Sequence, residues 1–109
     1  MSSIKFDNIF DAVTDSLEEA NELQTRADLM IAIRDIVRDF GWKQGETAEK
    51  LGLTQPRVSD LLNGKIEKFS IDLLMTCLFR LGYRFKPVYE NHHFSMVVKA
   101  SPALQLPIA

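Results

Sequence analysis

The chain has 109 residues, a hydrophobic fraction of 46% and a formal net charge of −2, which is typical of one globular domain. No apolar run approaches the roughly 18 residues that cross a bilayer. The N-terminus leads into acidic residues rather than into the apolar core of a signal peptide, so we expect a cytoplasmic protein. The single cysteine, Cys77, excludes an intramolecular disulfide and a cysteine-based metal cluster.

The net charge is unevenly distributed along the chain. Residues 1–28 carry seven acidic and two basic side chains, a balance of −5. Residues 29–109 carry eleven basic and eight acidic side chains, a balance of +3. Because only the local distribution of charge decides which surface attracts a polyanion, the negative total does not exclude a nucleic-acid partner.

The N-terminal segment has the apolar spacing of an amphipathic helix. Its apolar positions are Phe6, Ile9, Phe10, Val13 and Leu17. This spacing predicts a short helix over residues 6–13. Ser16 and Glu19 form a capping-box pattern, which predicts that a second helical segment begins at Leu17.

Four core helices are predicted between residues 29 and 81. The first carries an apolar stripe at Leu29, Ile33, Ile36, Val37 and Phe40. Caps or glycines bound each helix, with Thr54 and Ser70 as N-caps and Gly41, Gly52 and Gly82 as stops. The predicted spans are 29–40, about 43–51, 55–63 and 71–81.

The C-terminal segment alternates between apolar and polar residues. This pattern predicts a hairpin in which strand 83–89 pairs with strand 94–99. Pro87 has no backbone donor, so the first strand is expected at a sheet edge. The tail, which contains Pro102 and Pro107, is expected to be loose.

Residues 44–63 have the composition of two short helices that meet at a tight turn. Ala48 is small where the helices approach each other, and Gly52 permits the sharp turn. The apolar positions expected to face inward are Leu51, Leu53, Val58 and Leu61. Thr47 stands where an apolar residue is usual, so weaker packing is expected there.

The outward side chains of the third helix lie at its N-terminal end, which is the end that enters the major groove in helix-turn-helix proteins. Gln pairs with adenine, Arg with guanine and Asp with the cytosine amine, and a proline ring contacts a thymine methyl. The candidate base readers are Gln55, Pro56, Arg57, Ser59 and Asp60. The candidate phosphate contacts are Lys43, Gln44, Thr54, Asn63, Lys65 and Lys68. The alternative interpretation is a plain helical hairpin with a solvated polar face.

The stretch from Arg26 to Tyr89, above all Leu51 to Lys65, resembles regulators of the xenobiotic-response-element (XRE) type and is most similar to the HigA-like antitoxins among them. The resemblance implies a mainly α, lambda-repressor-like helix-turn-helix bundle with a short C-terminal β-strand pair. It also implies a homodimer on a palindromic operator and a RelE/ParE-like toxin that the protein neutralises while it represses its own operon. The alternatives are a stand-alone repressor and an interaction module without DNA binding.

Three segments follow from these patterns. Residues 1–25 form an acidic arm, residues 26–82 the DNA-binding domain, and residues 83–109 the strands and tail. The apolar face of the arm, defined above from Phe6 to Leu17, either binds the toxin as a helix in a groove or packs on the protein's own bundle. The expected dimer interface consists of Tyr83, Phe85, Val97 and Val98.

No set of residues indicates catalysis. The sequence has no nucleophile with a base, no phosphate-binding glycine loop and no nucleotide fingerprint. His92 and His93 are adjacent, so in a strand they point to opposite faces and are not expected to bind one metal. Cys77 lies among leucines and is expected to be a buried hydrophobe. We therefore expect no enzyme, cofactor, metal or small-molecule substrate, and no membrane contact.

Overall fold

The structure, a computed structural model, describes the backbone of residues 7–100 and the side chains of residues 16–100. The elements are α1 (Asp7–Phe40), α2 (Gln44–Leu51), α3 (Gln55–Leu62), a 3₁₀ turn (Ile66–Lys68), α4 (Ile71–Arg80), β1 (Tyr83–Glu90) and β2 (His93–Ala100). The predicted fold class, a helix-turn-helix bundle followed by a strand pair, is confirmed. The tail with Pro102 and Pro107 lies outside the described residues.

The first helix is longer than predicted. One helix of 34 residues replaces the expected short helix, the second segment capped by Ser16, and the first core helix. The prediction of a break at Ser16 is wrong because residues 7–40 contain no glycine or proline, and a capping residue inside such a stretch does not by itself stop the backbone ladder. Although α1 is about 50 Å long, no described helix combines the length and apolarity needed to cross a membrane.

The core lies between the C-terminal half of α1 and the helices α2 to α4. Its buried members are Met30, Ile33, Val37, Leu51, Leu61, Phe69, Leu74, Cys77, Leu78 and Leu81. Phe40 belongs to the predicted stripe of α1, but its side chain is 63% exposed. Its ring stacks on that of Trp42, with 5.1 Å between the centroids. The apolar stripe therefore leaves the core at the last turn of α1.

The predicted N-cap of α4 is present in the structure. The hydroxyl of Ser70 accepts a hydrogen bond from the backbone N–H of Leu73 at 3.1 Å, which caps α4.

The burial of Cys77 raises the pKa of its thiol, against the smaller opposing effects of Arg80 and Arg57. The expectation that Cys77 is a buried hydrophobe is confirmed.

The C-terminal hairpin closes through a two-residue turn. Asn91 and His92 have φ values of 51° and 61°, and two successive residues with positive φ are typical of a type I′ turn. The register pairs Glu90 with His93 next to the turn and Tyr83 with Ala100 at the base. Pro87 lies opposite Met96 in the middle of this sheet, whose two strands are both edges.

Thr47 is fully buried, and its Oγ1 has no hydrogen-bond partner. Replacement of Thr47 by Val keeps the shape of the side chain and removes the unsatisfied hydroxyl. We expect Thr47→Val to raise the free energy of unfolding by about 1 kcal/mol and the Tm by roughly 4 °C. Urea denaturation and calorimetry measure these changes. The matched variant Thr47→Ser keeps the hydroxyl and loses the methyl, so it should destabilise the protein; stabilisation by Ser and not by Val would contradict this explanation.

Candidate nucleic-acid interface

Helices α2 and α3 meet at a turn whose geometry follows from local residues. Gly52 adopts the left-handed conformation, with φ of 69° and ψ of 33°, and ends α2. The hydroxyl of Thr54 accepts a hydrogen bond from the backbone N–H of Arg57 at 3.4 Å, and Pro56 lies in the first turn of α3. The predicted inward residues Leu51, Val58 and Leu61 are fully buried, and Leu53 is half-buried.

Arg80, near the end of α4, donates hydrogen bonds to the corner that α2 and α3 form at their turn. Its Nη1 donates to the backbone oxygens of Leu51 at 2.8 Å and of Gly52 at 3.4 Å. These carbonyls belong to the end of α2, where backbone acceptors lack partners within the helix. Sequence reasoning missed this contact; the available signal was a lone cation in the apolar stretch from Ile71 to Leu81.

The N-terminal ends of α2 and α3 share one surface. A Cβ atom added to Gly45, next to Gln44, would lie 3.8 Å from Nε2 of Gln55. Gln55 and Pro56 are exposed and Ser59 is half-buried. Lys43, Gln44 and Thr54 are exposed as well. The structure therefore brings the candidate base readers at the start of α3 together with candidate phosphate contacts at the start of α2.

Arg57 does not extend into solvent. Its guanidinium lies over the buried ring of Phe69, 5.0 Å from the centroid, and its Nη2 donates to the backbone oxygen of Lys68 at 3.2 Å. Nε of Arg57 is buried without a hydrogen-bond partner. In this position Arg57 contacts the segment after α3 instead of facing outward. To read a base, its side chain would have to leave the Phe69 ring and the Lys68 carbonyl.

Asp60 lies between the two lysines predicted to contact phosphate. Its Oδ1 is 3.6 Å from Nζ of Lys65, and its Oδ2 is 3.8 Å from Nζ of Lys68. Nδ2 of Asn63 donates to Oγ of Ser59 at 3.4 Å. The lysines are about half exposed, so a phosphate group can approach them while the carboxylate of Asp60 is partly covered.

The other two predicted sites are the toxin-binding residues at the N-terminal end of the chain and the dimer interface on the hairpin. Of the proposed toxin-binding residues, Phe6 lies outside the described residues, and so do the side chains of Ile9, Phe10 and Val13. Leu17 is 57% exposed on the projecting part of α1. Tyr83 and Phe85 pack partly against the core, whereas Val97 and Val98 are exposed. Val98 pairs with Phe85, but Val97 pairs with Lys86 on the opposite face of the hairpin.

Comparison with known proteins agrees with this geometry. A family model described as a helix-turn-helix domain matches residues 12–86, and the chain belongs to this family. No curated protein matches the chain. A solved structure of a protein assigned to the XRE family of transcriptional regulators aligns with a TM-score of 0.54 and 39% identity, over 56% of this chain and 68% of the other. The protein is thus an XRE-family helix-turn-helix transcriptional regulator, a class that is generally not enzymatic.

The contact between Gly52 and Arg80 predicts coupled effects of mutation. A methyl group on Gly52 would lie 2.6 Å from Nη1 of Arg80. We expect Gly52→Ala to lower the free energy of unfolding by about 2–3 kcal/mol, as backbone strain adds to the loss of the Arg80 hydrogen bonds. In an Arg80→Ala background the same change should cost only the strain, about 1–2 kcal/mol. Urea denaturation of the four proteins in this cycle measures the coupling, and strictly additive effects would contradict the contact.

Proposed function

We propose that this protein is a sequence-specific repressor that binds a palindromic operator as a homodimer through the corner of α2 and α3. The observation that carries the proposal is the exposed N-terminal end of α3, with Gln55 and Pro56 at the front and α2 beginning beside it. In this geometry α3 enters the major groove, and the N-terminal amides of both helices face the phosphates. The lysines after α3 add affinity that does not depend on sequence.

The residues divide into three roles in this proposal. Gln55, Pro56 and Ser59 read bases, and Asp60 does so only where a cytosine amine replaces its lysine partners. Lys43, Gln44, Thr54, Asn63, Lys65 and Lys68 contact phosphates. Arg57, which sequence reasoning assigns to base reading, instead positions the loop of Lys65 and Lys68 through its contacts with Phe69 and the Lys68 carbonyl.

These roles predict different losses of binding. Gln55→Ala should weaken binding to the operator by about 1–3 kcal/mol and relax preference at one base pair. Arg57→Ala should weaken operator and random DNA by the same factor and also lower the Tm. Lys65→Ala should weaken all sequences alike and reduce the salt slope of log K by about one.

Fluorescence anisotropy with the promoter region of the protein's own gene and with random duplexes, each in a salt series, measures these effects. If Arg57→Ala relaxed preference at one base pair and left random binding unchanged, Arg57 would be a base reader that is released on binding. Equal losses on both DNAs for Gln55→Ala would remove Gln55 from the base readers. The absence of salt-dependent binding by the unmodified protein would indicate an interaction module instead of a repressor.

We further propose that the protein is the antitoxin of a two-gene pair and that the acidic arm covers a basic RelE/ParE-like toxin. Residues 16–25 of α1 are all exposed. They carry Glu18, Glu19 and Glu22, together with the exposed apolar side chains of Leu17 and Leu23. An acidic helix with apolar contacts suits a basic groove. The described part of the arm also projects from the bundle, which disfavours the alternative that Leu17 completes the local core.

Deletion of residues 1–25 separates the two functions. The bundle begins at Arg26, whose Nη1 contacts the backbone oxygen of Ile66 at 3.4 Å, so the truncated protein should keep its fold and its operator affinity. It should fail to rescue growth when the product of the neighbouring gene is expressed. A matched full-length variant with Glu18, Glu19 and Glu22 changed to Gln tests the charge alone. Full rescue by the truncated protein, or the lack of a small basic neighbouring gene product, would favour the stand-alone repressor.

A further inference from the structure

The two edges of the hairpin differ in their protection against strand pairing. β1 carries Pro87 at its middle, between the charged residues Arg84, Lys86 and Glu90. The ladder continues unbroken through the Pro87 and Met96 pair, so the proline nitrogen, which has no hydrogen, faces the outer edge of β1. Proline and charged side chains are the means by which natural sheets block an edge. Helix α4 also covers the base of β1, where the rings of Phe79 and Phe85 lie 6.1 Å apart.

β2 has little of this protection. All eight of its residues are exposed, and four of them are large apolar residues: Phe94, Met96, Val97 and Val98. The strand contains no proline, glycine or acidic residue, and Lys99 is its one lysine. An isolated two-stranded hairpin is marginally stable in water. An open, regular edge of this kind is a template for a further strand.

The register also sorts the hairpin into two unlike faces. Residues that pair directly lie on the same face of an antiparallel sheet. One face consists of Tyr83, Phe85, Pro87, Tyr89, Phe94, Met96, Val98 and Ala100 and is apolar throughout. The core covers Tyr83 and Phe85 at its base, whereas Tyr89, Phe94, Met96 and Val98 are each more than half exposed.

We propose that a second copy of this chain pairs with β2 in antiparallel orientation, giving a four-stranded sheet in the order β1, β2, partner β2, partner β1. This deepens the homodimer of the proposed function, but it is argued from the hairpin alone. A two-fold axis perpendicular to the sheet keeps each side chain and its copy on the same face, so one residue must lie opposite its own copy. Most of the strand stays paired if this residue at the axis is Met96 or Val97.

The sequence of β2 allows the strand to pair with its own copy. With Val97 at the axis, Met96 lies opposite Val98 and Ser95 opposite Lys99, so no like charges meet across the interface. The apolar faces of the two hairpins then join on one side of the sheet, the side on which both helical bundles lie. An isologous contact of this kind closes at two subunits and leaves only the protected β1 edges outside.

Met96→Pro tests this pairing directly. Because Met96 lies opposite Pro87, its N–H points to the outer edge of β2, and a proline there removes an outer donor without removing a hydrogen bond to β1. Tyr89→Pro is the matched control, since Tyr89 lies on the same face and its N–H points to the outer edge of β1. Analytical ultracentrifugation without DNA measures the mass, and circular dichroism checks that the helices are retained.

We expect the unmodified protein and Tyr89→Pro to sediment at twice the chain mass of 12.4 kDa. Met96→Pro should sediment as a monomer, with its dimer Kd raised at least about tenfold. A monomeric unmodified protein, a dimeric Met96→Pro, or equal dissociation of both proline variants would overturn the proposal. If Met96→Pro loses its fold, Met96→Lys combined with Val98→Lys places like charges opposite each other, and a persistent dimer would again overturn it.

The measurement is independent of DNA binding. Failure of dimerisation through β2 leaves the corner of α2 and α3 intact, and binding to a single half-site then tests the proposed function on its own. A strand from a different protein on the β2 edge is the competing occupant, and it is indicated if the unmodified protein is monomeric alone and forms a complex that Met96→Pro abolishes. That result would overturn the pairing of two copies.

Discussion

The position of α3 depends on the hydrogen bonds from Arg80 to the carbonyls at the end of α2. These bonds satisfy acceptors that the helix itself leaves without partners, and a cation at a helix C-terminus is favoured by the helix dipole. Arg80 also lies two residues before Gly82, where the chain turns into β1. The end of α4 therefore contacts both the turn between α2 and α3 and the base of the hairpin.

The acidic and basic side chains at the end of α3 and directly after it pair with one another. Asp60 pairs with Lys65 at 3.6 Å and with Lys68 at 3.8 Å, and all three side chains are partly exposed. Such surface pairs contribute less than about 1 kcal/mol to the free energy of unfolding. A phosphate can therefore replace the carboxylate at little expense in stability. Arg57 differs, because its guanidinium lies over the buried ring of Phe69 and its Nε is buried. In the proposed complex with DNA, a phosphate would displace Asp60 from these lysines more readily than Arg57 would leave its place.

Sequence reasoning was accurate where a local signal decides the structure. The cap at Thr54, the stop at Gly52 and the alternation after Gly82 each act within a few residues, and the corner and hairpin follow from them. It was wrong on α1, since a capping pattern at Ser16 does not interrupt a stretch without glycine or proline. The contacts of Arg57 and Arg80 join residues 11 and 29 positions apart, so no periodicity or spacing within one element reveals them.

The exposed large apolar side chains of the described residues are unevenly distributed over the surface. They lie on α1 (Leu17, Leu23, Ile31 and Phe40) and on the hairpin (Tyr89, Phe94, Met96, Val97 and Val98), and none of the described large apolar side chains that are exposed lies on α2 or α3. Proteins bury such side chains at interfaces with other proteins, while a DNA interface is more polar and more basic. In the proposed function, α1 and the hairpin would therefore bind protein partners, and the turn between α2 and α3 would stay open to DNA.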